Sequence, residues 1–452
     1  MRPTRFAPIL VLFLARAALA QFTIDAKALE DARAEVVPAI EAATGTTFGD
    51  TIRFELADRA TIEAALREEF RPQFRIQFPD PEVARAESER AAGLLASAAM
   101  GKYAPGTKRL LVCPPNFESL ADLLDEPGLL TREGFLAVVV HECVHAADDL
   151  RYDWPKTLAT RSTKDELLAF NAVLEGHAQH VARRVCQAKG WTEGFETLTR
   201  SIGKVPDTGD ETRSFLLRIA IADLAAAYYD GERFFDVLLE KGGPGEVDRA
   251  FREPPLDTEV ILRPEWFLDP ASRPRVEKDL EGALRHFAST IGEEWPANYV
   301  TLTSAQLRAA IGLLDEETSS RILAAHRQNR MVVLQKGGVM IACGLFEFES
   351  SDEAAHYLAA GARLNRIKDE SMKEGQVQIV DSTYQDVSRA GWQGEFVVKT
   401  METGGQRLQL SSVLARRGSI CLEWLDLTGA RTVEEAAAIV DDVWAHAVRE
   451  EE

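Results

Sequence analysis

The chain has 452 residues, of which 46% are apolar, and it carries 72 acidic against 52 basic side chains for a formal net charge of −20. This apolar content is enough to bury sizeable cores, and the length predicts two or three domains. The acidity argues against binding to nucleic acid or to anionic lipid, because both partners are polyanions.

The first twenty residues have the pattern of a secretory signal. Arg2 and Arg5 form a basic start, residues 6–15 are apolar, and Ala18-Leu19-Ala20 provides the small residues that precede a cleavage site. Arg16 keeps the apolar core short, so we predict cleavage before Gln21 and no stable membrane span afterwards. The mature protein is therefore expected to be exported, to a periplasm or to the medium.

Upstream of the central motif, the sequence predicts helices with two short strands, at residues 51–56 and 108–113. A buried helix is then predicted over residues 131–150, with Thr131 as its N-cap and Glu133 in its first turn. The run 135–140 is apolar and by itself also fits a strand. The spacing of the residues that follow favours the helix.

The motif His141-Glu142-Cys143-Val144-His145 lies in this predicted helix. A spacing of four places His141 and His145 on one helix face, one turn apart, where two imidazoles can hold one Zn²⁺. Glu142 is then placed to take a proton from a water molecule beside the metal. The alternative interpretation is a core helix with two hydrogen-bonded histidines.

A second amphipathic helix is predicted from Lys164 to Gly190. Glu175 lies thirty positions after His145, which is far enough for this helix to fold back onto the first one. A carboxylate would complete a three-ligand site with one open position, so we predict Glu175 as the third zinc ligand. His177 and His180 are the alternatives.

With these residues the chain resembles the gluzincins, zinc metallopeptidases whose third ligand is a glutamate on the next helix. The resemblance implies that Gly176 lets the two helices approach closely, and that the strand Arg109–Cys113 forms a cleft wall for an extended substrate. An ordinary sheet strand is the alternative for that segment. Several gluzincins have an aspartate four residues after the ligand glutamate; Gln179 stands there in this chain.

Asp148 and Asp149 follow His145 by three and four positions. One role for them is to orient a ligating histidine by hydrogen bonding. We favour the alternative, in which they are solvated acids on the helix face.

Further along, the chain resembles a group of exported bacterial proteins with gluzincin motifs, over about residues 100–268. The shared pieces, in order, are Tyr228-Tyr229-Asp230-Gly231, Gly242-Gly243, Pro254-Pro255, Thr258-Glu259 and Arg263-Pro264. The resemblance implies that Tyr228, or its neighbour Tyr229, stabilises the oxyanion formed during hydrolysis, with ordinary aromatic packing as the alternative. This chain has Arg263 where the group has histidine and Asp257 where it has serine.

A domain boundary is predicted near residues 288–300. Beyond it the pattern predicts an antiparallel sheet packed by helices: a hairpin over 332–348, helices at 351–371 and 432–448, and strands at 377–379, 394–399, 408–415 and 419–425. His326, His356 and His446 stand alone in this region. We interpret it as a binding or interaction module, whose partner is another protein.

The five cysteines contain no CxxC motif, which argues against a cysteine zinc site and against thioredoxin-like chemistry. Cys143 is predicted to be a small core residue. In an exported protein Cys343 and Cys421 are candidates for a disulfide, and Cys113 and Cys186 form a weaker candidate pair.

The sequence thus predicts an α+β protein. After a signal peptide (1–20) come a mainly helical zincin-like metallopeptidase domain (21–290) and a C-terminal domain of antiparallel sheet and helices (298–452). The expected function is zinc-dependent hydrolysis of peptide or protein substrates, with His141, His145 and Glu175 as ligands and Glu142 as general base. Two alternatives are a zinc-binding scaffold without activity and a zinc amidase that acts on a non-peptide amide.

Overall fold

The computed structural model describes residues 22–77, 80–204, 211–273, 278–337, 339–371, 377–389 and 391–447. The predicted signal peptide lies outside the described residues. Contacts divide the chain into two compact units, the first formed by 1–167 and 174–204 and the second by 168–173 and 205–452. The boundary predicted near 288–300 falls inside the second unit.

The first unit combines helices with a small mixed sheet. Its helices are α1 (Ala26–Thr44), α2 (Arg59–Gln77), α3 (Pro81–Ala96), α4 (Pro114–Leu124), α5 (Arg132–Tyr152), α6 (Trp154–Ala159), α7 (Lys164–Lys189, of which 168–173 group with the second unit) and α8 (Thr192–Ile202). Its strands are β1 (Arg53–Leu56), β2 (Gly101–Ala104) and β3 (Arg109–Val112). The helices α2 and α3 pack through small and apolar side chains onto β2 and β3.

The strand order in this sheet is β1-β3-β2, with β1 parallel and β2 antiparallel to β3. The segment Arg109–Cys113 therefore forms the centre of the sheet. Its main chain is hydrogen-bonded to β1 on one side and to β2 on the other. The predicted role of this strand as a cleft wall for an extended substrate is wrong, because its main-chain groups are used inside the sheet. The short strand β2, which the sequence analysis passed over, is the edge strand that lies against α5.

Helix α5 is the centre of the first unit. Every residue from Gly134 to Asp149 is buried, which explains why its apolar side chains are spread around the whole helix rather than along one face. Its start is crowded: a Cβ atom on Gly134 would lie 2.4 Å from the carbonyl oxygen of Gly128, and one on Gly194 of α8 would lie 2.3 Å from the backbone of Glu133. Glycine at these two positions lets neighbouring backbones approach α5.

The second unit contains the remaining elements. Its helices are α9 (Glu211–Lys241), α10 (Gly245–Arg252), α11 (Thr258–Leu262), α12 (Pro264–Leu268), α13 (Leu280–Ile291), α14 (Ser304–Ile311), α15 (Glu316–Ala325), α16 (Ser351–Ser371) and α17 (Val433–Ala447). Its strands are β4 (Ala297–Val300), β5 (His326–Lys336), β6 (Val339–Phe348), β7 (Val377–Arg389), β8 (Trp392–Thr403), β9 (Gln406–Arg417) and β10 (Ile420–Asp426). Short 3₁₀ turns lie at Pro127–Leu130 in the first unit and Pro270–Ser272 in the second.

The seven strands form one antiparallel sheet in the order β4-β5-β6-β10-β9-β8-β7. One face packs against α13 and α17, and the other packs against α14, α15 and α16. The predicted antiparallel sheet with helices is confirmed, although β5, β7, β8 and β9 extend beyond the predicted ranges. Helix α13 ends at Ile291 and belongs to this core, so the C-terminal fold begins before residue 298.

All five cysteines are buried and free. Cys343 and Cys421 lie on the neighbouring strands β6 and β10, but their side chains enter the cores on opposite faces of the sheet. The predicted disulfide between them is wrong, because two side chains on opposite faces cannot meet. The weaker pair, Cys113 and Cys186, is not bonded either. Burial raises the pKa of Cys186 to about 12, which keeps that thiol protonated and unreactive.

Within the described part of the chain, no helix combines the length and the apolar composition of a membrane span.

Candidate metal centre

Helix α5 presents the two histidines of the motif side by side. Thr131 caps the helix, as predicted, by accepting a hydrogen bond from the backbone N–H of Gly134. One turn apart on one face, the imidazoles of His141 and His145 have ring centroids 4.8 Å apart, and their Nε2 atoms lie 3.1 Å from each other. Both residues are buried, with 5% of His141 and 9% of His145 exposed.

Helix α7 carries Glu175, the predicted carboxylate ligand. It begins after the N-cap Thr163 and ends at Gly190, whose φ of 78° provides the left-handed C-cap conformation that glycine adopts without strain. Glu175 Oε2 lies 3.1 Å from His141 Nε2 and 3.3 Å from His145 Nε2. The three side chains that the sequence analysis chose as ligands therefore converge on one point.

The separations between these three atoms fit a tetrahedral zinc ion. With bonds of about 2.0–2.1 Å, two ligand atoms of a tetrahedral site lie roughly 3.3 Å apart. The observed separations are 3.1, 3.1 and 3.3 Å. Two imidazole nitrogens and one carboxylate oxygen are also the donor set of catalytic zinc sites that keep a fourth position open. His141, His145 and Glu175 would thus hold the metal.

The charges in this cluster favour an ionised carboxylate beside a protonated imidazole when no metal is bound. Burial alone would raise the pKa of Glu175, but attraction to His145 and hydrogen bonds from both imidazoles hold that pKa well below its usual range. Burial also opposes protonation of His145, yet the charge of Glu175 and a hydrogen bond to it raise the pKa of His145 to about 9. At neutral pH a metal must therefore displace a proton from His145.

We expect zinc binding at pH 7 to release about one proton, because the metal needs the neutral imidazole. Affinity should rise by roughly tenfold per pH unit from neutral pH towards 9 and then level off, since His145 loses its proton over that range. Calorimetric titration with zinc, in two buffers of different ionisation enthalpy, counts the released proton. The variant His446→Ala, which removes an exposed histidine on α17, should release the same number. Release of no proton would contradict this expectation.

Glu142 is held in place by the edge strand β2. Its Oε2 accepts a hydrogen bond of 2.5 Å from the backbone N–H of Tyr103. A Cβ atom on Gly101 would lie 2.9 Å from Glu142 Cγ and 2.8 Å from Val138 Cγ1, so glycine is needed for this strand to approach the helix. The carboxylate that the sequence analysis chose as general base is thereby oriented by main chain rather than by another side chain.

Lys102, on the same strand, adds a positive charge near the cluster. Its Nζ lies 2.6 Å from Glu69. Burial lowers the pKa of Lys102, but attraction to Glu69, Glu142 and Glu175 outweighs burial, and the net pKa is raised. The lysine therefore stays charged and partly balances the carboxylates around it.

The two acids that follow His145 have structural partners. Asp148 is 1% exposed and its Oδ2 lies 2.9 Å from His177 Nδ1, while Asp149 is 3% exposed and accepts hydrogen bonds from Tyr103 and Lys108. The favoured prediction that both acids are solvated is wrong, because α5 is surrounded by protein. The orienting role does not apply as predicted either: Asp148 contacts the histidine that is not in the cluster.

The alternative third ligands lie elsewhere on α7. His177 is paired with Asp148, and the cluster of ligand atoms that meets within 4.8 Å contains neither His177 nor His180. Gln179, which takes the position of the aspartate in several gluzincins, is fully buried, and its amide nitrogen lies 3.4 Å from Thr199 Oγ1 of α8. Glu175 is the ligand candidate that this geometry supports.

Comparisons of the chain with protein-family models, with curated proteins and with solved structures find no match.

Tyr228 and Tyr229 lie on α9 in the second unit, and Tyr229 is 39% exposed. Their predicted role in stabilising an oxyanion stays a prediction. Asp257, which stands where the resemblance proposed from the sequence implies a serine, is the N-cap of α11 and accepts a hydrogen bond from Val260 N–H. Serine and aspartate serve equally well as N-caps, so this replacement preserves the local structure.

Arg263, which stands where the resemblance proposed from the sequence implies a histidine, makes structural contacts in the second unit. Its guanidinium pairs with Glu259, donates to the carbonyl oxygens of Leu323, Ala324 and His326, and stacks 4.6 Å above Trp266. These contacts join α11 and α12 to the end of α15. These contacts use the N–H donors of the guanidinium that Arg263 would need in order to stabilise a bound substrate.

A second group of possible ligands lies on the surface of the C-terminal fold. His286 on α13 and His446 on α17 stack 3.4 Å apart with their planes at 19°, beside Asp442. The prediction that His446 stands alone is therefore wrong. A metal binds in the plane of an imidazole, and two nearly parallel rings at this distance do not share a point in both planes. We interpret this group as ring stacking with a hydrogen bond between His286 and Asp442.

The residues that support the cluster from outside the two helices were not predicted from the sequence. Gly101 and Tyr103 orient Glu142, and Trp154 of α6 donates from its indole nitrogen to the carbonyl oxygen of His145 at 3.2 Å. The sequence feature that could have indicated β2 is Gly101, a glycine that begins a short alternating stretch before a turn. A strand of four residues is too short for periodicity to reveal.

Proposed function

We propose that this chain is an exported zinc hydrolase that cleaves peptide bonds. The single observation that supports it is the convergence of His141 Nε2, His145 Nε2 and Glu175 Oε2, 3.1–3.3 Å apart, next to the buried carboxylate of Glu142. The proposal of export is based on the composition of the first twenty residues alone.

Each residue of the cluster has a defined task in this proposal. His141, His145 and Glu175 hold the metal, and two of these ligands come from one rigid helix, which limits their movement. Bound zinc supplies Lewis-acid chemistry, which polarises a carbonyl group and lowers the pKa of water. Glu142, oriented by Tyr103 N–H, takes the proton of the attacking water and passes it to the leaving amine. Lys102 keeps the local charge from becoming strongly negative.

The proposal is tested on the purified mature protein. We expect about one zinc per chain by elemental analysis, and hydrolysis of a mixed peptide library that stops when a chelator removes the metal and returns when zinc is restored. Zinc at full stoichiometry without hydrolysis of peptides or simple amides would favour the alternative of a zinc-stabilised scaffold. A protein that binds no zinc would contradict both interpretations.

A further inference from the structure

A cavity of about 330 Å³ lies in the first unit and is lined by none of the three metal ligands. It is bounded by α2, by the turn that joins β2 to β3, and by α6 with the turn that follows it. Its walls are mainly apolar and include Pro72, Ile76, Trp154, Pro155 and Leu158. The volume lies at the lower end of the range for small-molecule binding sites, so the cavity suits one large side chain rather than a folded segment.

Two contacts connect the wall of this cavity to the metal cluster. Ala104 lies in the wall and directly follows Tyr103, whose N–H holds the carboxylate of Glu142. Trp154 of α6 also lies in the wall and donates its indole N–H to the carbonyl oxygen of His145 at 3.2 Å. A ligand in the cavity therefore touches one residue next to the strand position that orients the candidate base, and another that contacts the main chain of a metal ligand.

The ion pair between Glu69 and Lys102 is a third connection. Glu69 lines the cavity, and its Oε2 lies 2.6 Å from Lys102 Nζ. The charge of Lys102 is also attracted to Glu142 and Glu175. Because attraction between charges falls with distance, this end of the cavity lies near the metal cluster. An extended peptide advances by about 3.3–3.6 Å per residue, so a peptide bound at the cluster can place a neighbouring side chain in the cavity.

Gln73 gives the cavity a hydrogen-bonding group. The residue is 7% exposed and lines the cavity, and its amide forms no hydrogen bond with the described residues. Both amide atoms stay accessible. Pro72, inside α2, has no N–H, so the carbonyl oxygen of Glu68 in the same wall receives no helical hydrogen bond from that position. An amide offers one donor group and one acceptor, which are the two groups of a peptide bond.

The charged side chains of the wall do not favour a charged ligand. Glu69 is paired with Lys102, and Arg161 is attracted to Glu166 of α7. Glu68 is exposed to solvent that screens its charge. The cavity therefore combines apolar walls with a neutral amide, and this combination fits an uncharged ligand.

We propose that this cavity is the subsite that receives a large apolar side chain of the peptide substrate, with the main chain of that residue hydrogen-bonded to Gln73. The assignment rests on the proposed peptidase function and deepens it by naming the substrate class: peptides with an aromatic or large aliphatic residue close to the cleaved bond. Burial of that side chain against Trp154 and Leu158 provides binding energy away from the reacting atoms, which helps to position the peptide at the metal.

The first measurement is binding to the zinc-free full-length protein, by calorimetry, of two neutral probes, N-acetylphenylalaninamide and N-acetylalaninamide. We expect the phenylalanine probe to bind at least about tenfold more tightly, because burial of a large apolar side chain contributes that much or more. Gly106 lies at the exposed rim of the cavity, and a Cβ atom there would meet nothing within 4 Å. Gly106→Trp should therefore fold, narrow the cavity and reduce the ratio of the two affinities by about tenfold.

The second measurement is hydrolysis by the zinc-loaded protein of a peptide series in which each position in turn is phenylalanine or alanine. At one position near the cleaved bond, kcat/KM should be at least about tenfold higher for phenylalanine, mainly through KM. Gly106→Trp should reduce this preference by about tenfold. The matched control Ala64→Trp adds the same side chain at an exposed position of α2 outside the cavity wall, and both ratios should stay as in the parent.

A second variant keeps the test decisive if Gly106→Trp does not fold. Ala159→Trp narrows the same cavity from its exposed rim after α6 and should have the same two effects. Equal affinity for the two probes, hydrolysis without a preference at any position, or a preference that survives both cavity variants would overturn the subsite and leave the hydrolase standing. Absence of hydrolysis of any peptide would instead reject the proposed function, and the subsite with it.

Discussion

Replacing Glu142 by glutamine is expected to slow peptide hydrolysis by at least about a hundredfold, because proton transfer by a positioned side chain contributes that much or more. Zinc content should stay unchanged, since Glu142 is not among the three converging ligand atoms. The amide of glutamine keeps an oxygen that can accept the hydrogen bond from Tyr103 N–H, so the strand β2 should stay against the helix. Parallel measurement of zinc content and of initial rates checks both parts.

The matched control for this variant is Glu118→Gln. Glu118 is exposed on α4, so the same chemical change there should alter neither rate nor zinc content. A variant Glu142→Gln that hydrolyses peptides at the parental rate would remove Glu142 from the mechanism. If the variant also lost its zinc, the carboxylate would have to be reassigned as a ligand.

Replacing Glu175 by alanine is expected to remove zinc from the purified protein and, with it, all hydrolysis. The change leaves two imidazoles on one helix turn, and two ligands bind a divalent ion far more weakly than three preorganised ones. It also removes the carboxylate that raises the pKa of His145. Elemental analysis after dialysis against metal-free buffer measures the loss directly.

Two controls distinguish a lost ligand from a damaged fold. Glu196→Ala removes an exposed acid of α8 in the same unit and should keep full zinc content. His177→Ala removes the partner of Asp148 and tests the alternative third ligand; it should keep zinc as well. Retention of zinc by Glu175→Ala together with its loss from His177→Ala would show that the ligand set has been wrongly assigned.

The helices around the site could be predicted from the sequence because their signals are local. Thr131 and Gly190 mark ends of α5 and α7 through capping interactions within a few residues. The spacing of His141 and His145 needs only the pitch of a helix to place both rings on one face. The helix 351–371 and the hairpin over 332–348 were predicted for the same reason.

Pairing between strands from distant parts of the chain determined features that could not be predicted from the sequence. The order β1-β3-β2 placed Arg109–Val112 at the centre of its sheet, and the register of β6 and β10 separated Cys343 from Cys421. Neither arrangement leaves a trace in local periodicity, because strand neighbours come from distant parts of the chain. The burial of Asp148 and Asp149 likewise depends on elements far along the chain.

By itself the sequence placed two imidazoles and a carboxylate, the candidate base, on one buried helix, and it gave a short set of candidates for the third ligand. Only the tertiary structure chose among Glu175, His177 and His180, by turning Glu175 towards the histidines and His177 towards Asp148. It alone also placed the strand Gly101–Ala104 against Glu142. The physical reason is that helical spacing is set within a few residues, whereas convergence of side chains depends on how distant segments pack.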